Sequence, residues 1–117
     1  MKFALLIYQG TTPLPGSDRW KALPEEEQRA IYSEYAEFNK TPGITPGPPL
    51  GLPTAATTIK VRDGKVEAKN GPYLPECVGG YCVIEAENVE AAIALAARIP
   101  AARLGGAIEI RPAEQYW

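Results

Sequence analysis

Histidine is absent from the 117 residues, cysteine occurs twice and methionine once. Without histidine the chain lacks the commonest metal ligand and the side chain best suited to general-base work near neutral pH. Cys77 and Cys82 are too few for a zinc site or a disulfide framework. Neither a metal nor a cofactor is therefore expected. A bridge between the two would have to join residues five apart, one of them on a strand, in a compartment expected to keep thiols reduced. Cys82 reads as a small core residue and Cys77 as an inert connector residue, with a reactive Cys77 as the alternative. Clustered positive charge is missing too. Twelve Lys and Arg against 14 Asp and Glu give a net charge of -2, which argues against a nucleic-acid partner and against a polybasic membrane contact. No apolar span approaches the length that crosses a bilayer, and residues 1–8 lack the length and cleavage site of a signal peptide, so a cytoplasmic protein is expected. No GxSxG elbow, phosphate-binding loop or dinucleotide fingerprint occurs; Gly79-Gly80 and Gly105-Gly106 are isolated pairs. The length predicts one domain, 1–117, with one core of two packed layers.

What is present is patterned. Residues 3–8 form an apolar run of strand length and read as a central strand buried on both faces. Residues 9–17, with two prolines and two glycines, read as a loop, after which Asp18, Arg19 and Trp20 are either rim residues of a binding site or, for Trp20, a seal on the sheet edge. Pro24 followed by Glu25, Glu26 and Glu27 predicts a helix start, because proline suits the first helical position and anions suit the positive end of the helix dipole. Ile31, Tyr35 and Phe38, with Tyr32 beside them, recur at helical spacing as its buried stripe. Pro42 ends it. Residues 42–53 hold five prolines and three glycines, so they can neither continue a helix nor pair as a central strand. They read as a stiff surface connection crossing the end of the sheet, with a proline-reading partner as the alternative.

Asp63-Gly64 is a turn pair favoured in two-residue hairpins, and it sets Val61 opposite Val66, Ile59 opposite Ala68 and Lys60 opposite Glu67. Residues 81–85 follow as a strand. Asn88 caps a helix over 89–99 whose Ala92, Ile93, Ala96 and Ile99 face a sheet. Residues 107–111 return as a strand with Ile108 and Ile110 on one face and Glu109 and Arg111 on the other. The order strand, helix, hairpin, strand, helix, strand predicts an α+β chain, a ferredoxin-like βαββαβ-type sheet with an extra hairpin and both helices on one face. Two helices leave the other face open. Since Phe3, Leu5 and Ile7 alternate with Ala4, Leu6 and Tyr8, either set presents apolar surface there, and a homodimer through that face is expected.

The stretch 70–88, with its Asn70-Gly71-Pro72-Tyr73 turn, Gly79-Gly80-Tyr81 strand entry and Asn88 cap, resembles the YCII-related family in its branch named for a DGPF motif. So does the ordered set around it: the apolar run ending at Tyr8, the Leu-Pro-Glu-Glu helix entry at 23–26, Ala56-Thr57-Thr58 with its Asp63-Gly64 turn, Pro-Ala-Ala-Arg at 100–103 and Glu109-x-Arg111-Pro112. Two departures stand out: Asn70 and Tyr73 replace the motif's Asp and Phe, and the connector to Gly79 is about two residues shorter than the family's. The resemblance implies a dimeric α+β barrel-like fold. It also implies that members with an enzymatic site rely on a His and Asp pair in a cleft beside the sheet, which this chain cannot supply. Asn70 is read as a turn residue whose amide bonds the backbone two positions on.

Candidate acids and bases are Asp18, Glu109 and Tyr8, with Arg111 able to hold a carboxylate; Glu109 and Arg111 sharing a face equally fits charge compensation. No catalytic residue is assigned. Three function classes follow: a small-molecule-binding or catalytically degenerate protein with ligand-binding candidates Tyr8, Asn70, Tyr73, Glu109 and Arg111; a cofactor-independent enzyme of the isomerase or hydrolase kind; and, from the gene neighbourhoods that the resemblance implies, an accessory protein linked to extracytoplasmic-function sigma factors.

Overall fold

The computed structural model describes residues 1–76 and 78–116. Strand β1 (Lys2–Tyr8) lies inside a four-stranded antiparallel sheet, flanked by β5 (Val78–Glu85) and β6 (Ala107–Pro112), with β2 (Ile44–Pro46) on the outer edge of β5. The order β2-β5-β1-β6, with α2 (Glu25–Asn39) between β1 and β2 and α3 (Val89–Ala96) between β5 and β6, is compatible with a ferredoxin-like α+β fold. A third, one-turn helix, α1 (Asp18–Lys21), precedes α2. Strands β3 (Thr57–Arg62) and β4 (Lys65–Asn70) form a separate two-stranded sheet, the expected extra hairpin.

The core lies between one face of the sheet and the two longer helices. Phe3, Leu5, Cys82 and Ile84 meet Phe38 of α2 and Ala92 and Ala96 of α3, with Ile99 and Ala101 closing the end. Alternation makes this possible: Phe3 pairs with Ile84 and Leu5 with Cys82, so the same face is apolar on both strands. Ile108 and Ile110 of β6 pack against this cluster as the spacing predicts. The other face takes no part in that core among the described residues. Ala4, Leu6 and Tyr8 are only half-buried, so β1 is central without being buried on both faces, contrary to the reading of its continuous apolar run.

Other expectations are corrected where elements are short or faces narrow. Helix α3 ends at Ala96, before the Pro100–Ala102 3-10 turn, and Ile93 is 53% exposed because contact is confined to the stripe of Ala92, Ala96 and Ile99. On α2 only Phe38 is fully buried, while Tyr32 lies outside the core and meets the buried Trp20 edge-on at 5.1 Å. Trp20 thus seals α1 against α2, not the sheet edge; Ser17 caps its one-turn helix by accepting from the Trp20 amide at 3.2 Å. The proline-rich 42–53 segment holds an edge strand that the sequence hides. Ile44 to Pro46 pair with β5, and the amides of Gly47 and Leu50 donate to Tyr81 and Gly79 carbonyls at 3.0 and 3.4 Å, so the segment runs along the β5 edge. Proline is tolerated because an edge strand has one unpaired side. Gly47 is required there, since a Cβ would come within 2.7 Å of the Tyr81 ring.

The hairpin keeps the predicted register, Val61 opposite Val66 and Ile59 opposite Ala68. Asp63 and Gly64 both have positive φ, 52° and 74°, as a type I′ turn demands. Lys60 stands opposite Glu67, but the ion pair of Glu67 is with Arg62 at 3.7 Å, while the Lys60 ammonium sits 5.2 Å from the Tyr73 ring centroid.

Candidate functional site

Tyr8 ends β1 on the open face and marks where the chain forms its hollows. Beside it is a cavity of about 470 Å³ walled by Leu50, Leu52 and the Pro53–Ala55 3-10 turn on one side, and by Pro72, Tyr73 and Leu74 on the other, with Val78 also lining it. Each wall has a cause in the sequence. Prolines and glycines keep residues 47–53 extended and free to diverge from β5 after Leu50, and Pro53 starts the 3-10 turn by supplying its fixed φ. The opposite wall follows from the hairpin: Gly71, at φ 105°, turns the chain after β4, its amide donates to the Ala56 carbonyl at 2.8 Å, and the Thr58 hydroxyl donates to the Gly71 carbonyl at 2.8 Å. Those bonds tie the base of the hairpin across the cavity mouth.

A second hollow of about 360 Å³ shares Tyr8 and Glu76 with the first and is floored by Gly10, Gly105, Gly106 and Ala107. Its floor is backbone packed on backbone: the Thr11 amide donates to the Gly105 carbonyl at 3.1 Å, and a Cβ on Gly106 would collide with the Tyr8 carbonyl. Together the hollows make a mostly apolar cleft whose described lining includes Tyr8, Tyr73 and Glu76. The volume of the first hollow falls in the range of small-molecule sites, though both hollows open broadly to solvent.

The sequence candidates divide. Tyr8 and Tyr73 share the first cavity. Asn70 does not join them; it is the last residue of β4, exposed and paired with Thr57, and the turn after it is tied by Thr58 and Gly71 instead of by its amide. Glu109 and Arg111 lie on the open sheet face outside both linings, 3.2 Å apart as an exposed ion pair. Asp18 and Arg19 lie on α1; the Arg19 guanidinium donates to the Thr11 carbonyl at 2.7 Å, which ties down the loop after β1. Cys77 lies outside the described residues. Glu76 and the 50–56 wall were missed: the carboxylate had no motif around it, and only the two leucines among the prolines hinted that the connection faces something apolar.

No group of three or more carboxylates and thiols that could hold a metal occurs among the described residues. Among the described residues two ionisable groups are displaced, Cys82 in the core and Tyr35 packed against it. Burial pushes the Cys82 thiol up from its ordinary value. Burial also pushes the Tyr35 phenol up, outweighing the downward pull of the Ala101 backbone and the Arg103 charge, with Glu34 adding to the rise. Neither belongs to the cleft, so they describe packing, not chemistry.

No helix among the described residues is long and apolar enough to cross a membrane. A comparison with curated proteins gives no match. The family model described as the YCII-related domain matches residues 1–115.

Proposed function

Because the chain belongs to the YCII-related domain family, we propose that it is a small-molecule-binding protein of the DGPF-type branch, without the family's acid-base pair, and that its ligand occupies the cleft at Tyr8, Tyr73 and Glu76. The observation that supports this is the cavity itself, about 470 Å³, with apolar walls and two tyrosines that separate stretches of sequence bring together. The apolar lining favours a ligand with a flat or aliphatic body. Glu76, the only charged side chain among the described lining residues, favours a hydrogen-bond donor or a cationic nitrogen over a carboxylate or phosphate at its polar end. Asp18 and Glu109 lie outside both linings, so acid or base work at the cleft would fall to Glu76 or the tyrosines. The protein is read as cytoplasmic.

The second part of the proposal is a homodimer through the open sheet face, in the manner of dimeric α+β barrels. Leu6, Tyr81 and Val83 share that face, with Tyr81 44% and Val83 37% exposed in the single chain. A second sheet would cover them by two-fold symmetry.

The test of the ligand reading is mass spectrometry of protein purified under native conditions, compared with Ala55→Trp. Ala55 lines the cavity and is exposed, so tryptophan fills the hollow without touching the core. A small molecule retained by the parent and lost from the variant is the expected result. A parent that carries none, and that no member of a metabolite panel stabilises against heat, would end the binding reading.

A further inference from the structure

The β3–β4 hairpin is built like a sheet with one buried face, but that face stands exposed among the described residues. Ile59, Val61 and Val66 project from one side at 60%, 64% and 66% exposure, beside Ala68, and the opposite side carries Lys60, Arg62, Lys65, Glu67 and Lys69. An isolated two-stranded hairpin is marginally stable in water, and a contiguous β-branched face on one invites a partner. The surface of the whole chain points the same way. A compact monomer of 12.6 kDa exposes about 6,200 Å², whereas this chain exposes 8282 Å², an excess of roughly 2,000 Å². Its radius of gyration is 16.1 Å against about 13 Å for a compact chain of this length. An excess of that size per chain is on the scale that obligate homodimers bury, about 2,000–5,000 Å² in total.

We propose that the hairpin is an arm that packs its Ile59, Val61, Val66 and Ala68 face on a second copy of this chain. The proposal rests on the dimer reading above and goes beyond it, because it adds a contact outside the sheet-on-sheet face. Area favours a copy of this chain as the occupant, because the excess each chain exposes is what an obligate homodimer covers. Lys60, Arg62, Lys65 and Lys69 lie on the side opposite the apolar face, so docking that face leaves their charges in solvent. The net charge of -2 disfavours nucleic acid. Docking the arm would also hold one wall of the cleft, since Pro72 and Tyr73 follow β4 directly and Lys60 lies over the Tyr73 ring.

Size exclusion with light scattering over a dilution series tests this on the full chain and two double variants. Ile59→Ser with Val66→Ser removes the apolar face; Lys65→Ser with Lys69→Ser alters the opposite face as the control. Neither pair lies in the core, so circular dichroism should show both folded. The expected result is a dimer for the parent and the control, with the apolar-face variant dissociating at a concentration at least tenfold higher. A parent dimer whose dissociation is unmoved by the apolar-face variant would overturn the arm and leave the sheet-face dimer standing. A parent that is monomeric at micromolar concentration would overturn both.

Discussion

Tyr8 is where the apolar packing of β1 gives way to the two hollows. Its backbone continues β1 opposite Ala107, and its side chain reaches both hollows from the end of the open face. Cys82, opposite Leu5 three pairs along the sheet, shows the contrasting case of a thiol buried in the core. Both displaced groups, Cys82 and Tyr35, are raised, and the sign follows directly. Each holds its proton more firmly in the folded state, so each contributes stability that is complete below its ordinary value and is lost as pH rises through the folded one. Stability measured by urea denaturation should therefore fall from about pH 9 upward, and Tyr35→Phe should lose less than the parent over the same interval. Identical slopes for the two proteins would contradict that assignment. Residue identity made part of this legible: the tyrosine at the end of an apolar run and the strand cysteine were both found from sequence. The turn role of Asn70 was misjudged, because Pro72, two positions on, has no backbone N–H to donate to the Asn70 side chain, and here Gly71 and Thr58 do the tying.

Among the elements, those with a strong local signal were legible and those defined by a neighbour were not. The hairpin register followed from Asp63-Gly64 and alternating β-branched residues, and helix α3 from its cap and alanines. Strand β2, three residues among prolines, exists only because β5 offers an unpaired edge, and α1 is a single turn set by Ser17 and the burial of Trp20. The extent of α3 also depended on context, since the sequence pattern runs on to Ile99 while the helix stops at Ala96. Its N-terminus gives a test at this scale. Asn88 accepts from the Ala91 amide at 2.9 Å, so Asn88→Ala should destabilise the protein by about 1 kcal/mol and Asn88→Asp should not. Thermal melts of the two variants would check it; an alanine variant that melts with the parent would show that packing alone holds the helix start.

As a whole the molecule is a flat body, with extents of 48 × 42 × 19 Å: one sheet with helices on one side and an arm extending from it. Period-two alternation predicted an apolar open face, and the structure selects Ala4, Leu6 and Tyr8 for it, but alternation alone could not tell which set the helices would cover. The cleft was least legible, because its walls come from the 50–56 and 72–76 segments with Val78 and meet only after the hairpin between them has folded back. Nuclear magnetic resonance of uniformly ¹⁵N-labelled protein titrated with a fragment library reads binding in that cleft residue by residue. Fragments with an apolar body and a donor or amine should shift the amides of Tyr8, Leu52, Tyr73, Glu76 and Val78 together, and Ala55→Trp should abolish those shifts. Fragments that bind only elsewhere, or shifts at the cleft that persist in the Ala55→Trp variant, would contradict it.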